Sequence, residues 1–369
     1  DGNILITGRT KSDDADDIPF PTTNGAYQTS ISGGYDVYVS KLSPDLDSLL
    51  SSTLIGGSGT EYGYSITFSD DSIFVAGYTA SQNFPTTDDA YQTSRAGGYD
   101  VFISALSTNL DALVASTYLG GSSQDYCYDI VIDENGEYLY FTGGTRDSAT
   151  DYPTQSGYDT THNGDYDVFV TKFQIDLSGS DALVASTFIG GDDTDYGKSL
   201  EIMIDDNDEE IVYITGYTES TTFPTQNAYD ATHNGGKDIL ISKLNSNLDQ
   251  LLSSTYLGGN SDEEGLAITI STSNEIYISG YSDSSDFPTF NAYDASHNGG
   301  SDVIVSKFLE DLSDLDYSTF IGSSGDDQAN DIIIPSSSND TDSVFVTGTA
   351  SENFPTNTGS SYGGGLSDV

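Results

Sequence analysis

The stretch HNGGKDILISKL, residues 233–244, returns almost unchanged as HNGGSDVIVSKF at residues 297–308. Each copy contains two glycines, an aspartate and an alternating apolar run that ends near a lysine. The aspartate recurs with a mean spacing of about 66 residues along the chain. Its positions are Asp36, Asp100, Asp167, Asp238, Asp302 and Asp368. Internal repetition on this scale indicates a repeat architecture and is interpreted before any local motif.

Each repeat contains four short segments with the composition of β-strands. In one repeat they are LLSSTLIGG (49–57), YGYSITFS (62–69), SIFVAGYT (72–79) and YDVFISAL (99–106), which we number as first to fourth. They are rich in β-branched and aromatic residues and are bounded by Gly, Asp, Asn or Ser. No segment of helical length keeps a 3.6-residue period without such interruptions. The sequence therefore predicts an all-β chain.

A glycine recurs inside the third segment of every repeat. Glycine weakens a strand, so its repetition predicts a close backbone approach or a β-bulge at this position. The glycines are Gly8, Gly77, Gly143, Gly216, Gly280 and Gly348.

Three motifs carry a resemblance to a known family. STYLGG (254–259), IYISGYSDSSDFPT (276–289) and AYDASHNGGSDVIVSKF (292–308) together resemble the seven-bladed beta-propeller repeat family of secreted and surface proteins. The resemblance covers essentially the whole chain and implies a propeller fold and an extracytoplasmic setting. It implies no activity, because propellers carry many unrelated functions.

The expected fold is a single β-propeller over residues 1–369, built from four-stranded antiparallel blades. A partial blade spans 1–44, and repeats span approximately 45–108, 109–175, 176–246, 247–310 and 311–369. Third and fourth segments occur six times but first and second segments only five times, which favours six blades, or seven if more strands are missing. We expect the missing strands to lie outside the segment, or to come from a neighbouring protomer, and to complete a blade with the N-terminal pair.

The charge of the chain limits its partners. With 59 acidic and 10 basic residues, the net charge of −49 opposes contact with nucleic acids and anionic lipids. No apolar run is long enough to span a membrane, so we expect neither nucleic-acid binding nor direct membrane insertion. Such charge density requires compensation, either by bound divalent cations or by a saline environment. Composition does not choose between the two.

Two acidic positions in each repeat are the candidate metal ligands. One is the repeated aspartate, and the other lies in the turn between the first and second segments; both turns fall at the same end of the strands. Ca²⁺ takes six to eight oxygen ligands, which carboxylates beside glycine-rich turns can supply. Alternatively, each aspartate caps the amides of its own turn. The candidate residues are Asp36, Asp100, Asp167, Asp238, Asp302, Glu61, Asp125, Asp195, Glu263 and Asp327.

Other residues are interpreted as structural. Paired loop aromatics such as Phe84 and Tyr91 are expected to anchor the long loop to the blade edge, in preference to forming a ligand-stacking platform. Cys127, in a strand, is expected to be a buried thiol. The sequon at Asn339 permits a glycan. We interpret His162, His233 and His297 as turn residues, because equivalent positions on successive blades do not converge on one zinc ion.

These observations favour a non-enzymatic extracellular structural or adhesion protein. It would belong to a cell-surface layer or filament, be stabilised by calcium and assemble as a homo-oligomer or surface array. A secreted polysaccharide lyase or glycosidase, with a central pocket of unlike residues, is the first alternative. A propeller module that binds glycans is the second.

Overall fold

The computed structural model describes residues 2–11, 19–146, 151–205, 207–335 and 343–356. Throughout these residues the regular structure is antiparallel β-sheet, without a helix, which confirms the all-β prediction. No helix that could cross a membrane occurs in the part of the chain that is described. Asp368 and Asn339 lie outside it.

The strands form six sheets, four of which have four strands. The first sheet contains β1 (Ile4–Thr10), β2 (Asp36–Leu42) and β3 (Leu49–Ile55). The second contains β4 (Glu61–Phe68), β5 (Ser72–Thr79), β6 (Asp100–Ser107) and β7 (Leu113–Leu119). The third contains β8 (Gln124–Ile132), β9 (Tyr138–Arg146), β10 (Asp167–Gln174) and β11 (Leu183–Ile189).

The remaining sheets repeat this order. The fourth contains β12 (Asp195–Ile204), β13 (Glu210–Thr218), β14 (Asp238–Asn245) and β15 (Leu251–Leu257). The fifth contains β16 (Glu263–Ile270), β17 (Ile276–Ser282), β18 (Asp302–Phe308) and β19 (Leu315–Ile321), and the sixth contains β20 (Gln328–Ile333) and β21 (Phe345–Thr349). Repeated sheets of this kind are consistent with propeller blades. Closure of the sheets into a ring stays a prediction.

The predicted grouping of strands into repeats was wrong by one strand. Strand β3, taken as the first strand of repeat 45–108, is hydrogen-bonded to β2 in the preceding sheet, with Val37 opposite Ile55. A short turn joins the two strands, closed by the Ser43 amide and the Ser48 carbonyl at 2.9 Å. Short connections pair antiparallel strands. A complete sheet therefore begins at the turn acid, as in residues 61–119. The strand that begins with the repeated aspartate is third in that sheet, not fourth.

The chain divides into two compact units, residues 1–162 with 168–188, and residues 163–167 with 189–369. In the first unit, the core is built around Phe102, Tyr118 and Phe169, which are fully buried. In the second unit, Tyr213, Ile241 and Phe308 have the corresponding role. Burial of large apolar and aromatic side chains is the main stabilising contribution within each unit.

A repeated pair of hydroxyl groups crosses the interior of the complete sheets. The side chains of Ser104 and Ser116, directly opposite each other on β6 and β7, are buried and 2.8 Å apart. Ser242 and Ser254 form the same pair at 2.8 Å. A buried hydroxyl is tolerated when it is hydrogen-bonded, so this pairing explains the repeated serine before threonine in the SST and AST motifs.

The repeated glycine allows a β-bulge in the neighbouring strand. Between Gly63 and Ser65 the register of β4 against β5 shifts, so that Tyr64 has no partner opposite it. A Cβ on Gly77 would overlap the carbonyl oxygen of Tyr62. The equivalent overlap occurs at Gly143, Gly216, Gly280 and Gly348. Both features anticipated for this glycine, close approach and a bulge, are confirmed.

We expect Gly77→Ala to lower the free energy of unfolding by about 2–3 kcal/mol, because the new methyl group meets rigid backbone. Gly98→Ala is the control, since its Cβ would first meet the flexible Gln124 side chain, 3.2 Å away. Urea unfolding of both variants measures the difference. Equal stability of the two variants would contradict this account of the bulge.

Candidate functional site

The two acidic positions of each repeat meet where one sheet ends and the next begins. Asp36 is the first residue of β2 and Glu61 is the first residue of β4, in the following sheet. The Glu61 amide donates to the Tyr35 carbonyl at 2.8 Å, which joins the two sheets. The same bond is made by the amides of Asp125, Asp195, Glu263 and Asp327, to the carbonyls of Tyr99, Tyr166, Lys237 and Ser301. We call each such pair of acids a junction pair.

The junction pairs are shielded from solvent. Asp36 and Glu61 are both 0% exposed, and the other eight acids are also buried. A glycine separates the two carboxylates: a Cβ on Gly56 would lie 2.6 Å from Asp36 Oδ1 and 2.7 Å from Glu61 Oε2. Gly258 lies in the same way between Asp238 and Glu263. The first glycine of the LIGG and LGG motifs is therefore needed because carboxylates occupy the space of a side chain.

The repeated aspartate caps the turn that precedes it, as one of the two interpretations predicted. Oδ2 of Asp36 accepts a hydrogen bond from the Ser32 amide at 3.0 Å, and Oδ2 of Asp238 accepts one from the Asn234 amide at 2.9 Å. Asp100, Asp167 and Asp302 accept equivalent bonds from the amides of Ala96, Asn163 and Asn298. These bonds satisfy amides that the irregular loop leaves without strand partners.

The turn acid binds a different set of donors. Glu61 Oε2 accepts from the Gly57 amide at 2.9 Å, while Oε1 accepts from the hydroxyls of Thr79 and Ser81 at 2.8 and 2.5 Å. Glu263 repeats this arrangement with the Gly259 amide at 2.7 Å and the Ser282 hydroxyl at 2.8 Å. The turn acid therefore ties three consecutive segments of chain together.

One oxygen in several junction pairs has no hydrogen-bond donor. Oδ1 of Asp36, Asp238 and Asp302 is buried and unpartnered. Burial raises the pKa of Asp36 to about 6, and the nearby Glu61 charge contributes. Burial likewise raises the pKa of Asp238 to about 6 and that of Asp195 to about 7. In the part of the chain that is described, no three metal-binding side chains converge. Calcium binding at the junction pairs stays a prediction.

The first aromatic residue of each long loop is an anchor, as expected. Phe84 is 3% exposed and packs on Phe102 with ring centroids 4.6 Å apart. The Tyr118 hydroxyl accepts from the Phe84 amide and donates to the Ser81 carbonyl, both at 2.9 Å. The second aromatic residue anchors the loop in some repeats only. Tyr91 packs on Phe173, whereas Tyr293 is 81% exposed.

The histidines and the cysteine have the environments of structural residues. His162 Nε2 lies 3.1 Å from the Thr145 carbonyl, and its ring packs edge-on against Phe188. His233 and His297 pack in the same way on Tyr256 and Phe320. Cys127 is fully buried in β8, and burial raises the pKa of its thiol. The predicted buried thiol is confirmed.

The repeats differ in chemistry at the residue that forms each bulge. The sequence predicted a bulge beside the repeated glycine but did not identify this residue. Each bulge residue follows its turn acid by three positions, and bulges commonly redirect a side chain beside functional sites. The bulge residues are Tyr64, Tyr128, Lys198, Leu266 and Asn330. The sequence signal that locates this position is the turn acid three residues before it.

Tyrosines surround the first two bulges. Tyr62, Tyr64, Tyr78, Tyr126 and Tyr128 form a continuous set of ring contacts, which we call the tyrosine cluster. Tyr64 and Tyr78 are stacked with centroids 5.5 Å apart, and Tyr64 meets Tyr128 edge-on at 5.0 Å. Tyr64 is 46% exposed. The cluster therefore presents perpendicular aromatic rings at the surface of the first unit.

In the second unit, the corresponding bulge carries a cation. The Lys198 amine lies over the rings of Tyr196 and Tyr217, at 5.1 and 5.4 Å from their centroids. Burial lowers the pKa of Lys198 to about 8, against the opposing effect of Glu264. Lys237 lies 4.3 Å from the Tyr217 centroid and forms an ion pair with Glu264.

Comparison with known proteins shows only distant structural likeness. No protein-family model matches the chain, and no curated protein matches its sequence. Hydrazine synthase of Kuenenia stuttgartiensis is 8% identical with a TM-score of 0.41, over 77% of this chain and 63% of that chain. A protein of unknown function from Dyadobacter fermentans is 10% identical with a TM-score of 0.43, over 90% and 83%.

A third structure, Sqt1 of Chaetomium thermophilum, is 12% identical with a TM-score of 0.38, over 92% of this chain and 74% of that chain. The chain thus spans less than two thirds of the length of the hydrazine synthase chain, at 63%.

We expect Asp36→Asn to stabilise the protein at pH 8. The pKa of Asp36 is raised from 3.8 to about 6, so folding favours the protonated form. That contribution is present below pH 3.8 and is lost as the pH rises through about 6. An amide, uncharged at every pH, should raise the free energy of unfolding at pH 8 by about 1 kcal/mol and change it little at pH 4.5.

Urea unfolding with a calcium chelator measures this effect, and Asp71→Asn, which removes one exposed acid, is the control. Destabilisation by Asp36→Asn at pH 8 would contradict the expectation. Repeating the measurement with added Ca²⁺ tests the calcium prediction. A cation held by the junction pair would stabilise the unmodified protein and would lose that effect in Asp36→Asn.

Proposed function

We propose that this protein is a non-enzymatic extracellular structural or adhesion protein, part of a cell-surface layer or filament, whose copies assemble through an incomplete sheet. The resemblance to the propeller repeats of secreted and surface proteins supports the extracytoplasmic setting. The near-equivalent junction pairs support a structural role, since the same buried acids recur at five junctions. The proposal does not require calcium.

The observation that carries assembly is the exposure of β21. Phe345 is 57% exposed, whereas the equivalent Phe74, Tyr140 and Tyr213 are at most 2% exposed. Val346 is 37% exposed, whereas the equivalent Val75 is fully buried. In the described residues the sixth sheet has two strands, and no described strand pairs with the second edge of β21. An exposed apolar edge strand readily adds a strand from another chain.

The first sheet has a matching exposed residue. In five of the sheets a leucine with positive φ lies in the turn between the last two strands, at Leu46, Leu110, Leu177, Leu248 and Leu312. Leu46 is 62% exposed, whereas the other four are fully buried. In the second sheet this leucine is Leu110, and Tyr27, from the loop between β1 and β2, covers it. The Tyr27 amide donates to the Leu110 carbonyl at 3.0 Å. Both terminal sheets therefore carry apolar groups that a second copy of the chain could cover.

The strand that β21 would accept has a defined register. In complete sheets the repeated aspartate lies opposite the last residue of the second strand, as Asp100 lies opposite Thr79 and Asp238 opposite Thr218. The equivalent residue of β21 is Thr349. A strand supplied by another copy would therefore place its aspartate opposite Thr349, with its apolar side chains beside Phe345.

We expect a synthetic peptide of residues 300–308, GSDVIVSKF, to bind the protein and to suppress its self-association. A peptide of the same composition in scrambled order is the control. Phe345→Asp should abolish peptide binding and reduce association, because a charge would replace the exposed apolar group. Phe68→Asp, at a residue that is 66% exposed on another sheet, should change neither.

Sedimentation velocity over a range of concentrations measures association, and titration of labelled peptide measures strand addition. A chain that stays monomeric at every concentration and does not bind the peptide would overturn the assembly proposal. Association that persists in Phe345→Asp would place the contact elsewhere and would also count against it.

A further inference from the structure

Cations stacked on tyrosine rings are a recurrent feature of this chain. At least seven of its ten basic residues lie within 6 Å of a tyrosine ring centroid, namely Arg9, Lys11, Lys172, Lys198, Lys237, Lys243 and Lys307. Proteins contain roughly one energetically significant pair per 70–80 residues, so a chain of this length would have about five. With so few cations available, their concentration on tyrosine faces indicates that these faces are favourable cation sites.

Equivalent bulges in the second and fourth sheets carry different side chains. In the fourth sheet the bulge residue is Lys198, and its amine lies over Tyr196 and Tyr217. The equivalent rings in the second sheet are Tyr62 and Tyr78, stacked with centroids 4.6 Å apart. There the bulge residue is Tyr64, which adds a ring where the fourth sheet has an amine. In both sheets a cation of the chain lies over the first of these rings, since Arg9 is 4.0 Å from the Tyr62 centroid. The second sheet differs in adding the ring of Tyr64.

The geometry of the tyrosine cluster fits an organic cation. Tyr64 and Tyr128 are nearly perpendicular, at 83°, and Tyr78 and Tyr126 are nearly perpendicular, at 79°. Each edge-on pair leaves the rings facing different directions, and alkylated ammonium groups bind over the faces of several such rings. Among the described residues, no basic side chain lies over the ring of Tyr64, which is 46% exposed. A cation from outside the chain can therefore reach it.

Charge favours the same class of ligand. The net charge of −49 raises the local concentration of cations and repels anionic ligands. We propose that the tyrosine cluster is a binding site for an organic ammonium ion, with a free quaternary amine or an alkylated lysine side chain of a partner as the chemical class. This site is independent of the proposed assembly, because it lies on β4, β5 and β8 and not on β21.

Choline is a suitable probe because its uncharged carbon isostere, 3,3-dimethylbutan-1-ol, has the same shape. We expect choline to bind at least about tenfold more tightly than the isostere, since only the cation interacts with the ring quadrupole. Saturation-transfer NMR and calorimetry measure both ligands. Tyr64→Leu should weaken choline binding at least about tenfold, whereas Tyr64→Phe, which keeps the ring, should retain most of it.

Tyr293→Leu is the matched control, because this tyrosine is 81% exposed, is absent from the cluster and leaves the net charge unchanged. It should bind choline as the unmodified protein does. Equal binding of choline and its isostere would overturn the proposal, as would choline binding that Tyr64→Leu leaves unchanged. Binding of neutral oligosaccharides that depends on Tyr64, without choline binding, would also overturn it and would assign the cluster to glycans.

Discussion

At every junction between consecutive sheets, two carboxylates are buried where most proteins would bury apolar groups. The repeated aspartate satisfies the turn before its own strand, and the turn acid satisfies the turn at the start of the next sheet. Removing these groups would leave several buried amides without acceptors, each at a cost of about 1–3 kcal/mol. The residue types at several repeated positions follow from this arrangement. Gly56 is small because carboxylates press against it, and Thr79 and Ser81 carry hydroxyls because Glu61 needs donors.

The junction pairs are needed for the fold, whereas the side chains at the bulges are free to vary. Each bulge is produced by backbone geometry, in which the glycine of the second strand leaves room for the carbonyl of the residue two positions before the bulge. Its side chain is not needed for that geometry, so the position carries Tyr64 in one sheet and Lys198 in another. The bulge position therefore differs in chemistry between repeats, while the junction pairs remain nearly constant.

Much of the fold could be predicted from repetition alone. Strand composition, the close approach at Gly77 and the capping role of Asp36 each follow from local chemistry. The grouping of strands into sheets could not be predicted, because nothing in a periodic sequence shows which strand begins a sheet. Only the short turn after Ser43 shows that β3 pairs with the preceding strand, β2. A bulge beside Gly77 could be predicted, but the residue that forms it could not, because one extra residue does not disturb a period of 64 to 71. The exposure of Tyr293 could not be predicted, because the equivalent Tyr91 and Tyr229 pack on Phe173 and Phe308 of the following sheet.

The central claim is that the junction pairs hold consecutive sheets together, and amide hydrogen exchange in the native protein tests it most directly. The relevant amides are those of Glu61, Asp125, Asp195, Glu263 and Asp327, which donate across the junctions. The account predicts that these five exchange as slowly as amides in the middle of β5 and β13. Exchange as fast as that of loop amides, with the strand interiors still protected, would show that the junctions open independently and would contradict the account.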